Sequence, residues 1–380
     1  MFDFDKIVDR KNTNSYKWDK YPDGVLPLWV ADMDFEVIPE IKEALSRIVD
    51  HGIIGYSHVP EQLETVVVDR LKKLHNWEIK KEWIVWLPGL VPGIHTATRS
   101  ISDDFFAVMT SSPVYRPFLE AADFGKRRLS DIPFVWKNER WEMDFEEMEK
   151  SVNPSTKLYL LCNPHNPNGR VFSKEELTHL ADFCLKNDLI ICSDEIHCDL
   201  ILDETKKHIS IATLNKEIEQ RSITLLAPSK TFNIAGLGCS MAIIPNAELR
   251  ASFEKAKYGM MPMLSAFAFE SALAAYKFGE PWRKEMIAYL QANHAFLLNE
   301  INKIEGLEMK PLEATYLAWI SYEKTGSFNF VEILEKHGVG VQDASIFGGK
   351  SYFRLNFATQ KSNLEEAINR IKKAVSSINP

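Results

Sequence analysis

Hydrophobic positions along this chain follow two rhythms. From Pro39, the stretch PEIKEALSRIVDHG places Ile41, Ala44, Leu45 and Ile48 on one face of a helix, and Gly52 stops it. A second helix is expected around Glu61–His75. The rhythm then changes to short apolar or β-branched runs separated by helical stretches. These runs are WIVWL (83–87), FFAVMT (105–110), LYLLC (158–162), LIICS (189–193), SITLLA (222–227) and MAIIP (241–245). One intervening helix is marked by a capping box, Ser173 with Glu176, ahead of the stripe Leu177, Leu180, Phe183. Strands that are apolar on both faces and alternate with helices predict a mostly parallel sheet covered on both sides.

After about residue 275 the pattern shifts again. A long helix is expected from Pro281 to about Lys303, then short strands in LEMKP, TYLAWI and YFRLNFA, then a last helix from about Ser362 to Ser377. This reads as a smaller α+β domain. Residues 1–36 look irregular and end in the apolar LPLWVADMDF. The central sheet offers them no strand position, so they are expected to pack with the C-terminal part. The expected division is a large domain over 46–275 and a small domain built from 1–45 and 276–380.

Composition narrows the class. The 380 residues are 45% hydrophobic, enough for a large core, and the net charge is −8. No strongly basic stretch suits a nucleic-acid backbone, so nucleic acid is not expected as a partner. No apolar run reaches the roughly 18 residues that span a bilayer. The N-terminus, MFDFDKIVDRKN, is charged and does not read as a signal peptide. The five cysteines (Cys162, Cys184, Cys192, Cys198 and Cys239) are odd in number and lack C-x-x-C spacing. They suit free thiols in a reducing cytoplasm. Cys192, His197 and Cys198 match no zinc spacing, and no metal centre is expected.

Three polar clusters stand just where strands should end. NPHNPNG (163–169) follows LYLLC, Asp194 lies within LIICSDEIH, and Ser229–Lys230 follow SITLLA. Each has a bland alternative: a turn, a helix cap, and a lysine that snorkels to water. Ligands of open α/β sheets bind at the carboxyl ends of the strands, so three such clusters in succession point to one shared crevice. A lysine set among apolar residues has its ammonium disfavoured, which frees the amine as nucleophile or base.

These clusters carry a resemblance that extends over essentially the whole chain. The motifs are KWDKYPDGVLPLWVADMDF (17–35), HGIIGY (51–56), LPGLVPGI (87–94), SSPVYRPF (111–118), LCNPHNPNGRVFSKEEL (161–177), SDEIHCDLIL (193–202), APSKTFNIAGL (227–237) and YFRLNFAT (352–359). The chain resembles the fold-type I, pyridoxal phosphate (PLP)-dependent enzymes of the class I/II aminotransferase superfamily. Within them it looks like the MalY/PatB-type cystathionine β-lyases, or C–S lyases. The resemblance implies an α/β fold-type I PLP-transferase, with a mostly parallel seven-stranded sheet between helices and a smaller α+β domain.

It also implies roles. Lys230 would hold the cofactor covalently and later remove the Cα proton. Asp194 would pair with the pyridinium nitrogen, and Asn166 and His197 would contact the ring edge. Tyr115 would stack on the ring. Gly89 would permit a turn that aims the Leu90 and Val91 amides at the phosphate, with Ser229 as a further donor. Tyr56 would reach the phosphate from a second subunit, making a homodimer with shared active sites. Arg354 would clamp the substrate α-carboxylate, helped by Asn166 and with Ala31 nearby. The implied reaction is αβ-elimination of L-cystathionine or a related S-substituted cysteine to thiol, pyruvate and ammonia. The same resemblance leaves an aminotransferase, or an added regulatory role through a protein partner, as alternatives.

Some positions depart from the family pattern. Ala227 stands where many aminotransferases have a phosphate-binding serine, and Gly238 where many have an arginine. Arg116 follows Tyr115 where lyases often have a second tyrosine; it reads equally as a leaving-group contact or a surface arginine. Ala314 and Ala344 replace glycines and would narrow the pocket or shift a turn. YGMMPML (258–264) reads more readily as core packing than as an entrance or a dimer groove.

Overall fold

A computed structural model describes residues 2–101 and 106–378. Its central sheet has seven strands: β1 (Ile84–Leu87), β2 (Ala107–Thr110), β3 (Arg128–Asp131), β4 (Thr156–Cys162), β5 (Ile190–Asp194), β6 (Ser222–Leu226) and β7 (Ser240–Ile243). Their order across the sheet is β1-β7-β6-β5-β4-β2-β3. β7 alone runs opposite to the other six strands. The expected start of β2 at Phe105 lies outside the described residues. The six apolar runs become six of these strands. β3 reads RLSD, mostly exposed, and has no apolar run that would announce it.

Alternation along β4 explains why both faces are covered. Leu158, Leu160 and Cys162 join one core with Ile94, Ala97 and Phe118. Tyr159 and Leu161 join another with Leu177, Leu180 and Phe183. The first of these cores is capped by helix α3 (Leu90–Ser100) and helix α4 (Arg116–Phe124). The second is capped by α5 (Lys174–Lys186), which begins with the expected Ser173–Glu176 capping box. Helices α1 (Pro39–His51) and α2 (Glu61–His75) lie earlier in the chain. Helix α6 (Ala266–Phe278) leads into α7 (Glu280–Ile301).

The C-terminal part forms a four-stranded antiparallel sheet. Its strands are β8 (Glu308–Met309), β9 (Leu317–Ser321), β10 (Gln342–Asp343) and β11 (Tyr352–Asn356), in the order β8-β9-β11-β10. Helix α8 (Lys361–Ser376) closes the chain. One core unites Phe4, Leu28, Met33, Phe35, Ile38 and Ile41 with Leu290, Leu317, Phe353 and Ile368. Leu26 and Pro27 also pair in parallel with Val339 and Gly340.

The N-terminal segment is fixed by a buried ion pair. Lys17 is fully buried, and its Nζ lies 2.6 Å from Asp34 Oδ2. Trp18 Nε1 and Arg10 Nη1 donate to Asp34 Oδ1 at 2.8 and 2.9 Å. Burial alone would raise the Asp34 carboxyl; the Lys17 charge and these hydrogen bonds hold it below its ordinary value. Lys17→Met should therefore destabilise the protein by about 3 kcal/mol, the lower end of the cost of breaking a buried pair, because Arg10 still reaches the carboxylate. The shift in the urea unfolding midpoint measures it, and adding Asp34→Leu should recover part of the loss.

Candidate active site

The strand order brings the polar strand ends together. β4, β5 and β6 are adjacent and parallel, so Asn166, Asp194 and Lys230 emerge at one edge of the sheet. Gly89 follows β1 and Tyr115 follows β2 at that same edge. Together they line a cavity of about 290 Å³ with Ala31, Leu90, Val91, His197, Ser229 and Arg354. Eleven of the twelve residues expected at the site thus share one cavity. The twelfth, Tyr56, lies between α1 and α2, is 94% exposed, and does not line it.

Lys230 Nζ donates to the Ala31 carbonyl at 2.7 Å. Burial pulls its ammonium down to about 8, opposed by Asp32, assisted by the Arg354 charge, and opposed again by Asp194. Asp194 is 5% exposed, and its Oδ1 accepts from the Ile196 amide at 3.0 Å. Burial pushes its carboxyl up to about 7. Burial and then the charges of Lys230 and Arg354 lower His197 to about 3, so it is a neutral imidazole whose Nδ1 has no partner among the described residues.

Arg354 sits on β11 and is 5% exposed. Its Nη1 donates to Asn166 Oδ1 at 3.0 Å and its Nη2 to the Trp29 carbonyl at 3.1 Å. The guanidinium lies 4.6 Å from the Phe347 ring. Its Nε has no partner, and no carboxylate pairs with it among the described residues. Burial brings it down to about 10. A buried arginine without a counter-ion is a waiting site for an anion, and the fork suits a carboxylate. Because Asn166 Oδ1 is occupied by Arg354, its Nδ2 is left to donate. The Tyr115 amide donates to the Asn166 carbonyl at 3.1 Å, tying the stacking residue to the same turn.

Helix α3 begins at Leu90, with no side chain capping its N-terminus at Gly89. The Leu90 and Val91 amides are therefore open donors at a positive helix end that lines the cavity. The expected role of Gly89 needs correcting. Its φ of 174° is extended backbone that any residue adopts, and a Cβ there would meet only Pro92, at 3.5 Å. What glycine supplies is an N-cap without a side chain.

Several departures are resolved by packing. Gly238 has φ +61°, and a Cβ would come within 3.0 Å of the Pro88 carbonyl, so an arginine there would strain the backbone. Ala227 is buried in the core beside Leu225. Arg116 lies outside the cavity and pairs with Glu120 at 2.6 Å on the surface of α4. Ala314 is fully buried, and its amide donates to the Gly169 carbonyl, holding the NPHNPNG turn. Ala344 packs with Trp319 and Phe347. Neither alanine narrows the cavity. The 258–264 run is only partly core: Tyr258, Met260 and Met263 are 89, 63 and 65% exposed, while Met261 and Leu264 pack against buried clusters.

No metal grouping forms from Cys192, His197 and Cys198. Cys192 is in the core and His197 lines the cavity. Among the described residues, ligand-type atoms gather only at His75, Cys198 and Asp199, and Arg70 already pairs with Asp199 at 2.7 Å. The sequence reading missed Asp32, which stands beside Lys230 in WVADMDF. The signal was there: a carboxylate breaking an apolar run.

A seven-stranded sheet with its polar strand ends gathered at one cavity, joined to a smaller antiparallel sheet that supplies an arginine, is the fold-type I architecture. Residues 23–371 match the family "Aminotransferase class I and II", and the chain belongs to it. It is 37% identical to the cystathionine beta-lyase PatB of Bacillus subtilis, over 98% of this chain and 100% of the relative. Its fold superposes on the crystal structure of OvoB with a TM-score of 0.96 at 40% identity, covering 99% of this chain and 100% of the other. Cystalysin from Treponema denticola, which contains a pyridoxal 5′-phosphate cofactor, matches with a TM-score of 0.94 at 32% identity over the full length of both chains.

The lysine shift has a thermodynamic signature. Between about 8 and the ordinary 10.5, the unfolded chain binds a proton at Lys230 that the folded protein does not, so stability rises with pH across that window. The cost of keeping this ammonium buried is fully present below pH 8. In ligand-free protein, Lys230→Met should thus be more stable than the original at pH 7, by on the order of 1–3 kcal/mol. The gap should close above pH 10.5, as thermal unfolding at the two pH values would record.

Proposed function

We propose that this protein is a PLP-dependent carbon–sulfur β-lyase, cleaving L-cystathionine or related S-substituted L-cysteines to a thiol, pyruvate and ammonia. The observation that carries the reading is one cavity holding a lysine lowered to about 8, a buried carboxyl at a strand end, and a buried arginine without a counter-ion. The relatives named for β-lyase activity support it.

The residues present fit the cofactor. Among the described residues Asp194 makes no ion pair, the start of α3 offers open amides for a phosphate, and Lys230, its ammonium lowered to about 8, lines the same cavity. Bound there, PLP would supply an electron-accepting ring that stabilises negative charge developing at the substrate Cα. Asp194, ionised once a pyridinium faces it, keeps that ring nitrogen protonated. Arg354 receives the α-carboxylate and, with Asn166 Nδ2, orients Cα toward Lys230. Lys230 then takes the Cα proton, a task suited to an amine whose pKa lies near the working pH. Tyr115 covers one face of the site and excludes water, and His197, neutral, can accept or donate at the ring edge without adding charge.

The same reading includes a homodimer. Tyr56 lies near Ile53 and Ile54 in sequence, and all three are exposed, as are Tyr258, Met260 and Met263. In the dimer, Tyr56 of one protomer would complete the phosphate site of its partner. The division into 46–275 and the two flanking segments is part of this proposal, supported by the core that joins Phe4 and Leu28 to Phe353 and Ile368.

Incubating purified protein, supplied with PLP, with L-cystathionine should give pyruvate in step with homocysteine. Lys230→Ala should abolish both products and the yellow absorbance of bound cofactor. Conversion of cofactor to its amine form without pyruvate would instead make the protein an aminotransferase. Arg354→Lys should raise KM by about 10–100-fold, because a bidentate charged hydrogen-bond pair is worth roughly 1.5–3 kcal/mol.

A further inference from the structure

A second cavity, of about 560 Å³, adjoins the first and shares Val30, Ala31, Lys230 and Ala235 with it. It is lined by the irregular segment from Val30 to Glu36 together with Asn233 and Gly236. A substrate whose α-carboxylate lies on Arg354 and whose Cα faces Lys230 carries its sulfur substituent on the next carbon. That substituent must occupy space beside Lys230, and this cavity is the adjoining space.

Its charged lining is uneven. Asp34 is consumed by Lys17, and Glu36 pairs with Lys6 and Lys42 at the surface. Arg10 spends both terminal nitrogens, donating to Asp34, the Met33 carbonyl, Ser15 and Asp32. Asp32 differs. Its Oδ2 takes Arg10 at 2.7 Å, but no hydrogen bond among the described residues reaches Oδ1, and its side chain is 29% exposed. Its backbone is held still: the Asp32 carbonyl accepts from Lys17 Nζ and Asn356 Nδ2, at 2.9 and 2.8 Å. Asn233 clamps the next residues through the Met33 amide and the Met33 and Phe35 carbonyls. A fixed carboxylate with one open oxygen, beside the reacting lysine, is a preorganised acceptor for a cation.

We propose that this cavity is the leaving-group subsite, and that Asp32 selects thiols bearing an ammonium, such as the amino-acid end of cystathionine, over uncharged or anionic ones. This rests on the lyase reading above and names the residue that reads the thiol side. Asp32 also faces Lys230, so its replacement affects every substrate through the lysine. Selectivity for the ammonium is therefore read as a ratio between two substrates, which cancels that shared effect.

The test compares L-cystathionine with S-(3-carboxypropyl)-L-cysteine, which has the same chain length and lacks only the distal ammonium. Holoenzyme should prefer cystathionine in kcat/KM, and Asp32→Asn should reduce that preference by about 10–100-fold, the worth of one charge-assisted hydrogen bond. The reduction should fall mainly on KM for cystathionine. A melting temperature near that of the original establishes that the variant is folded; if Asp32→Asn fails to fold, Asp32→Glu, which keeps the charge but moves it, should shift the same ratio. An unchanged ratio in a folded variant, with both substrates turned over, overturns this inference and leaves the lyase reading standing. No pyruvate from either substrate with the original protein overturns the lyase reading and this inference with it.

Discussion

Burial of charge-bearing groups around one cavity is the constraint on which this site depends. Lys230, Asp194, His197 and Arg354 are each driven toward their neutral forms, and burial is the largest cause in every case. In water these groups would sit near their ordinary values and be solvated. Here they are packed at the edge of a rigid sheet, where the fold bears the cost and a ligand of complementary charge would relieve it. An anionic carboxylate, an anionic phosphate and a cationic ring nitrogen would each be such a complement under the proposed function.

The scaffold makes that cost bearable by holding the N-terminal segment against the site. Val30 to Asp34 is irregular, and the carbonyls of Val30, Ala31, Asp32 and Met33 accept from the side chains of Asn356, Lys230, Lys17, Arg10 and Asn233. The buried Lys17–Asp34 pair sits directly behind the cavity wall. The wall beside the lysine is thus built from an N-terminal segment cross-braced to the rest of the chain.

Much of this was legible in the sequence because it rests on strong local signals. β4, β5 and β6 are largely apolar runs with polar residues at or just beyond their ends (Asn163 to Asn166, Asp194, Ser229–Lys230), and such runs mark both a buried parallel strand and its functional end. What was not legible depends on tertiary context. Hydrophobicity cannot distinguish an inward from an outward apolar face, so Tyr258, Met260 and Met263 read as core. Gly89 and Gly238 look alike in sequence, yet one is extended and the other left-handed. Asp32 is marked in sequence only as a carboxylate breaking an apolar run; its place beside Lys230, nearly 200 positions away, comes from the fold.

β3 was missed for a reason that is also its use. Arg128, Leu129 and Asp131 are exposed on a strand that pairs with β2 on one side only. An open strand edge is a template on which another chain can add itself, and a flat apolar edge invites aggregation. Ending this side of the sheet on a short, exposed strand with an arginine and an aspartate means that such addition would have to desolvate charged side chains. The polarity that hides β3 from a hydrophobicity reading thus blunts one of the two edges of a very apolar sheet.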